Sequence, residues 1–129
     1  MNVLAIGCHP DDIEVACAGT LAKYVKQGHN VTVCHVCNGN LGHAIIQPDE
    51  LRTMRAQEAR NAGALAGIKV VTCDVGDLLA YPNQEQRDRV EYTALHFMIV
   101  RYTYFPKGDR NEKKELLDKI TELRHRYGI

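Results

Sequence analysis

Hydrophobic residues in this chain come in blocks whose spacing alternates between strand-like and helical periods. The apolar run NVLAIG, residues 2–7, predicts a short buried strand. DDIEVACAGTLAKYVKQG, residues 11–28, predicts a helix in which Ala18, Leu21, Ala22 and Val25 recur at helical spacing and Gly28 is the stop. HNVTVCHVCNG, residues 29–39, is β-branched and strand-like, and NGNLGH, residues 38–43, reads as a loop. PDELRTMRAQEARNAGALAG, residues 48–67, predicts a second helix, with Pro48, Asp49 and Glu50 suited to its first turn and Gly67 to its end. KVVTCDV, residues 69–75, is a third strand.

Strand, helix, strand, helix, strand with short connections predicts parallel pairing with right-handed crossovers. The expected class is therefore α/β: a three-layer, mostly parallel, Rossmann-like sheet with helices on both faces, in one domain spanning residues 1–129. Further along, NQEQRDRVEYTA, residues 83–94, is compatible with a short helix. LHFMIVRYTYF, residues 95–105, is rich in aromatic and β-branched residues and predicts a strand. NEKKELLDKITELRHRY, residues 111–127, predicts an amphipathic helix with Leu116, Leu117, Ile120 and Leu123 on one face.

Sixteen basic and sixteen acidic residues cancel. A chain without net charge has no field to draw in nucleic acid or an anionic membrane, so small molecules or protein partners, including a second copy in a homo-oligomer, are the expected ligands. The apolar runs fall short of the roughly 20 residues a membrane helix needs. MNVLAIGCHPDD lacks the layout of a signal peptide, so a cytoplasmic protein is expected. Five cysteines, an odd number lying mostly in apolar segments, fit reduced and buried thiols better than a disulfide framework. Cys34 and Cys37 spell C-x-x-C, but a zinc ribbon would want a second such pair, and a redox motif would open a helix rather than lie in a strand.

The concentration of chemistry is GCHPDD, directly after the first strand. In an open parallel sheet, ligands bind outside the carboxyl ends of the strands, which is where this segment falls. His9 offers an imidazole nitrogen and Asp12 a carboxylate to a divalent cation, zinc above all; two such ligands, a third and a water make an open catalytic site. Asp11 is then placed to take a proton from water whose pKa the metal has lowered. The plainer reading is that Asp11 and Asp12 cap the following helix and favour its positive end. The adjacent histidine and the strand-end position favour the metal.

Those residues resemble the PIG-L/LmbE-type family of zinc-dependent N-deacetylases, whose hallmark is a first strand ending in H-P-D-D. HPDDIEVACAGTLAKYVKQGH looks like the branch with Ile before Glu, with Ala16 and Ala18 where glycines are frequent. The likeness continues through CNGNLGH, RTMRAQEARNAGALAG and DVGDLLAYPNQEQRDRV, about the first 90 residues. The resemblance implies that His9 and Asp12 are metal ligands, that Asp11 is the general base, and that the substrate is an N-acetylated amino sugar of the N-acetylglucosamine type. It also implies a later histidine motif supplying the third ligand and an oxyanion-stabilising histidine. EYTALHFMIVRYTYFPKGDRNEKKELLDKI carries no such pair, so the expected fold is truncated relative to the family.

The candidates for a third ligand or a substrate contact are those in loops at the carboxyl ends of strands, His43 and Asp109. His96, at the start of its strand, and His125, late in its helix, are expected to be remote. His35, inside a strand, reads as a packed side chain. Arg55 is a candidate for holding a substrate, although arginines on an exposed helix face, Arg52 and Arg55 alike, usually pair with neighbours such as Glu58. The sequence thus supports a metal-dependent amide hydrolase, impaired if its second half-site is missing. The rival is a non-catalytic, truncated deacetylase-like binding or oligomerisation module. A nucleotide-binding domain is disfavoured, because no G-x-G-x-x-G follows the first strand.

Overall fold

The computed structural model of the chain describes residues 1–80, 83–91 and 110–127. They belong to two compact units, Met1–Tyr81 and Pro82–Ile129. The expected strand LHFMIVRYTYF with His96, and the candidate ligand Asp109, lie outside the described residues.

The first unit runs β1 (Asn2–Gly7), α1 (Asp12–Lys26), β2 (Asn30–Cys37), α2 (Pro48–Ala66) and β3 (Lys69–Val75). These are the five elements anticipated from the hydrophobic spacing. All pairing is parallel and the strand order is β1-β2-β3. Asn2 to Gly7 of β1 lie opposite Asn30 to His35, and β3 joins from Thr32↔Lys69 to Cys37↔Val75. Between His35 and Cys37 the register shifts, because β3 carries an extra residue near Asp74, whose φ is 57°. Parallel pairing puts Gly7, Cys37 and Val75 at one end of the sheet, so three consecutive loops converge there.

Along β2, Val31, Val33, His35 and Cys37 share one face by the two-residue period, and Ile13 and Leu21 of α1 pack with Val31 and Val33 in the core. Helix α2 approaches β3 closely at Gly63. A Cβ there would sit 2.4 Å from Val70 Cγ2 and 2.8 Å from the Ile68 carbonyl oxygen. Val70 lies opposite Val33, so α1 and α2 cover the same face. Gly67 closes α2 at φ 68°, as the stop signal required. Cys34 and Cys37, three apart in a strand, point to opposite faces, which is why C-x-x-C here chelates nothing as a pair. Cys34 meets Cys73 at 3.7 Å between sulfurs.

In the second unit, residues 84–91 form α3 and Arg110–Tyr127 form α4. The buried Asp88 accepts hydrogen bonds from Gln84 Nε2 at 2.6 Å and Arg126 Nη1 at 3.0 Å. Ile120 and Leu123 of α4 are buried, but Leu117 is 43% exposed. The expected apolar face is therefore narrower than drawn: at 100° per residue Leu117 lies about 90° from the midline of Ile120 and Leu123. No described helix is long and apolar enough to cross a membrane.

Candidate active site

The loop after β1 is drawn tight by two backbone hydrogen bonds to the His9 carbonyl, from Asp11 N at 2.9 Å and Asp12 N at 3.3 Å. Pro10 fixes φ inside that turn, so the side chains on either side keep defined directions. Asp12 turns back on the loop. Its Oδ2 accepts the His9 backbone N–H at 2.8 Å and lies 3.9 Å from His9 Nδ1. Asp11, although it stands at the N-cap of α1, makes no side-chain cap hydrogen bond. The plain capping role is thus not taken up by the residue placed for it.

Asp11 is held from outside its own helix. Arg55, from the second turn of α2, donates through Nη2 to Asp11 Oδ2 at 2.9 Å and to the Pro10 carbonyl at 2.7 Å. Its contact with Glu58, at 3.4 Å, is the looser one. The expectation that Arg55 merely pairs along its helix is corrected: the parallel sheet brings the start of α2 beside the β1 loop, which no local spacing reveals. Arg52 likewise reaches β3, where it binds both carboxylate oxygens of Asp74. Gly39, at φ 75°, lets the β2 loop pass under Arg55; a Cβ there would lie 3.3 Å from Nε.

The other edge of the His9 ring faces a residue that sequence reasoning did not single out. Asp77, in the loop after β3, places Oδ1 3.5 Å from His9 Nε2. The same carboxylate accepts the backbone N–H groups of Gly39 and Leu41, each at 3.0 Å, while the Asp77 N–H donates to Asn40 Oδ1 at 2.8 Å. It therefore ties the second and third strand-end loops together. The available signal was an aspartate one turn residue past a strand, in DVGD, at the same carboxyl end as His9. Cys8 was also passed over; it is exposed, not buried, and its sulfur lies 3.7 Å from Cys37 Sγ and 4.0 Å from His9 Nε2. All five cysteines are among the described residues, and none is in a disulfide.

His43 lines one open cleft of about 780 Å³ with His9, Asp11, Arg55 and Asp77. Its Nδ1 accepts the backbone N–H groups of Ile45 and Ile46, each at 3.1 Å. With Nδ1 accepting, the neutral ring carries its proton on Nε2 and offers a donor, not a lone pair. His35 is the packed side chain expected, 1% exposed. Burial above all lowers its pKa from the ordinary value, against the pull of Glu14, whose Oε2 lies 3.9 Å from Nε2. Burial and the Cys8 sulfur push the Cys37 thiol up to about 11. His125 is exposed on α4.

Two ligands of one tetrahedral zinc, at bonds near 2.0–2.2 Å, stand about 3.4 Å apart. The gap of 3.9 Å between His9 Nδ1 and Asp12 Oδ2 closes to that by a small swing of the carboxylate, whose side chain is 47% exposed. The donor pair fits a divalent cation.

The chain matches the family described as PIG-L: GlcNAc-PI de-N-acetylase over residues 4–127. It belongs to that family. The match continues past residue 90, beyond the stretch whose motifs carry the likeness by inspection. The Uncharacterized deacetylase YaiS of Escherichia coli (strain K12) is 38% identical over 73 residues, 56% of this chain and 33% of its own length. The chain thus spans about a third of that curated relative.

Among solved structures, N,N'-diacetylchitobiose deacetylase from Pyrococcus horikoshii, complexed with its inhibitor MPG, is similar with TM-score 0.66 and 24% identity, covering 76% of this chain and 38% of that one. The zinc inhibited form of teicoplanin deacetylase Orf2 is similar at 0.51 and 14%, covering 100% and 65%. GalB, the 4-carboxy-2-hydroxymuconate hydratase from Pseudomonas putida KT2440, is similar at 0.61 and 16%, covering 95% and 55%. At such identities the likeness establishes the α/β fold. A hydratase among the neighbours means that the reaction must be argued from side chains.

Proposed function

We propose that this PIG-L-family chain carries the metal-binding half-site of a hydrolase that removes the N-acetyl group from an N-acetylglucosamine-type substrate. His9 through Nδ1 and Asp12 through Oδ2 would hold the cation, zinc or another divalent metal. A cation held there supplies Lewis acidity, lowering the pKa of water at the site and polarising an amide carbonyl. Asp11 takes the water proton on its carboxylate as the oxygen attacks the acetyl carbon, and returns it to the departing nitrogen, so that water and amide become acetate and a free amine.

Arg55 keeps the Asp11 carboxylate aimed through the 2.9 Å contact. His43 presents an N–H to the cleft, suited to a sugar hydroxyl or the acetyl oxygen. The observation that carries the reading is the release of Asp11 from helix capping to a pairing with Arg55, one residue from a His9–Asp12 donor pair.

Zinc stoichiometry and acetate release from N-acetylglucosamine conjugates test it together. One tightly held zinc per chain with turnover is expected. A folded protein that binds no metal and releases no acetate would instead be the non-catalytic module.

A further inference from the structure

On the far side of the His9 ring from Asp12 stands a second group of donors. Cys8 Sγ, Cys37 Sγ and a ring nitrogen of His9 all lie within 4.8 Å of one another, with Cys8 Sγ 4.0 Å from Nε2. They come from the ends of β1 and β2; Asp77, from the end of β3, approaches Nε2 at 3.5 Å but stands outside that group.

Tetrahedral coordination makes a definite demand on such spacings. Bonds of about 2.3 Å to sulfur, 2.0–2.1 Å to nitrogen and 2.0–2.2 Å to oxygen require separations of about 3.8 Å between two sulfurs, 3.6 Å between sulfur and nitrogen and 3.4 Å between nitrogen and oxygen. The structure has 3.7 Å between the sulfurs, 4.0 Å from Cys8 to Nε2 and 3.5 Å from Nε2 to Asp77. The sulfur pair already matches, and the sulfur–nitrogen gap involves an exposed cysteine that is free to adjust. The Gly39 and Leu41 N–H groups fix the Asp77 carboxylate beside the same ring nitrogen. A packing pair of thiols explains the sulfur contact, but it gives no reason for an imidazole to stand beside both sulfurs.

We propose that Cys8, Cys37 and His9 Nε2 form a three-donor site for a thiophilic divalent cation such as cadmium or zinc, with solvent completing its tetrahedron, distinct from the His9 Nδ1 and Asp12 pair. Binding exchanges two thiol protons, released to solvent, for two metal–sulfur bonds. Two thiolates and a neutral imidazole leave the loaded site without net charge. The neutral imidazole has one lone pair, so a cation at Nε2 leaves the proton on Nδ1, facing Asp12. Occupancy of the two sites is mutually exclusive, and a thiophilic ion displaces the cation at Nδ1. That last consequence rests on the hydrolytic reading above; the thiolate site itself does not.

Cadmium titration of the full reduced chain, followed by thiolate-to-cadmium charge-transfer absorption and proton release, tests the site. One ion per chain and two protons per ion are expected. Cys8→Ser should lose the equimolar plateau, and so should Cys37→Ser; Cys8 is exposed, so its variant remains decisive should the buried Cys37→Ser fail to fold. Asp12→Ala should keep the plateau. Absorption that survives Cys8→Ser unchanged, by way of Cys34 and Cys73, overturns the proposal, as does a signal lost in Asp12→Ala. Should the plateau behave as expected while zinc-loaded Cys8→Ser, which lacks the thiolate site, releases no acetate, the thiolate site stands and the hydrolytic reading falls.

Discussion

Arg55 Nη2 lies 2.9 Å from Asp11 Oδ2, joining the start of α2 to the loop after β1 across 44 residues of sequence. Because the same nitrogen also donates to the Pro10 carbonyl, the guanidinium fixes the turn as well as the carboxylate. Arg55→Ala should therefore lower kcat by about 10- to 100-fold, the cost of a reacting group misplaced by a fraction of an ångström. Stability should change by less than about 1 kcal/mol, since the pair is partly exposed. Steady-state kinetics and thermal melts of the variant check both. A KM effect with kcat unchanged would make Arg55 a substrate contact, not a positioning residue.

In a parent carrying Cys8→Ser, so that the thiolate site contributes no metal, Asp12→Ala should lose the metal, whereas Asp11→Asn should retain it and lose acetate release. With metal saturating at about 100 times the dissociation constant, the folded state gains roughly 2.7 kcal/mol by linkage, so chelation should lower the melting temperature of the parent and of Asp11→Asn but not of Asp12→Ala. Metal analysis beside paired melts reads this directly. Equal metal content in Asp12→Ala and the parent sinks the ligand assignment.

The buried His35 makes the fold sensitive to acid. Its pKa is lowered chiefly by burial, with Glu14, Asp12 and Asp11 opposing and Arg55 adding to the shift. In the unfolded chain the imidazole protonates near pH 6.5, whereas in the folded chain it resists until a lower pH. The unfolded state therefore binds more protons in that window, and stability, complete above about pH 6.5, declines as pH falls through it. Urea melts between pH 7.5 and 5.5 should show the decline, and His35→Gln should flatten it.

Two helical glycines should respond oppositely to alanine. At Gly63 a Cβ meets Val70 Cγ2 at 2.4 Å and the Ile68 carbonyl at 2.8 Å, so the backbone must shift; a loss of about 1–3 kcal/mol is expected. At Gly19 of α1 nothing lies within 4 Å, and alanine should add about 0.5–1 kcal/mol through helix propensity. Denaturant midpoints of the two single variants decide the matter.

The five elements of the first unit could be read from the sequence because hydrophobic period, a helix-opening Pro48 and a closing Gly67 are local properties. His9, Asp11 and Asp12 stood out for the same reason, being three reactive groups within four positions at a strand end. The partners of those groups were not legible. Asp77, Arg55 and Cys37 lie 68, 44 and 29 residues away from His9, Asp11 and Cys8 in sequence. Only parallel pairing of β1, β2 and β3, which stacks three carboxyl ends at one edge, makes them neighbours. Nor could spacing tell that the Asp11 side chain would leave the helix N-cap unused, since that choice depends on a guanidinium delivered by another helix. Local pattern determined which groups could do chemistry; the sheet's topology decided which of them face one another, because contact between distant segments is set by packing and not by sequence period.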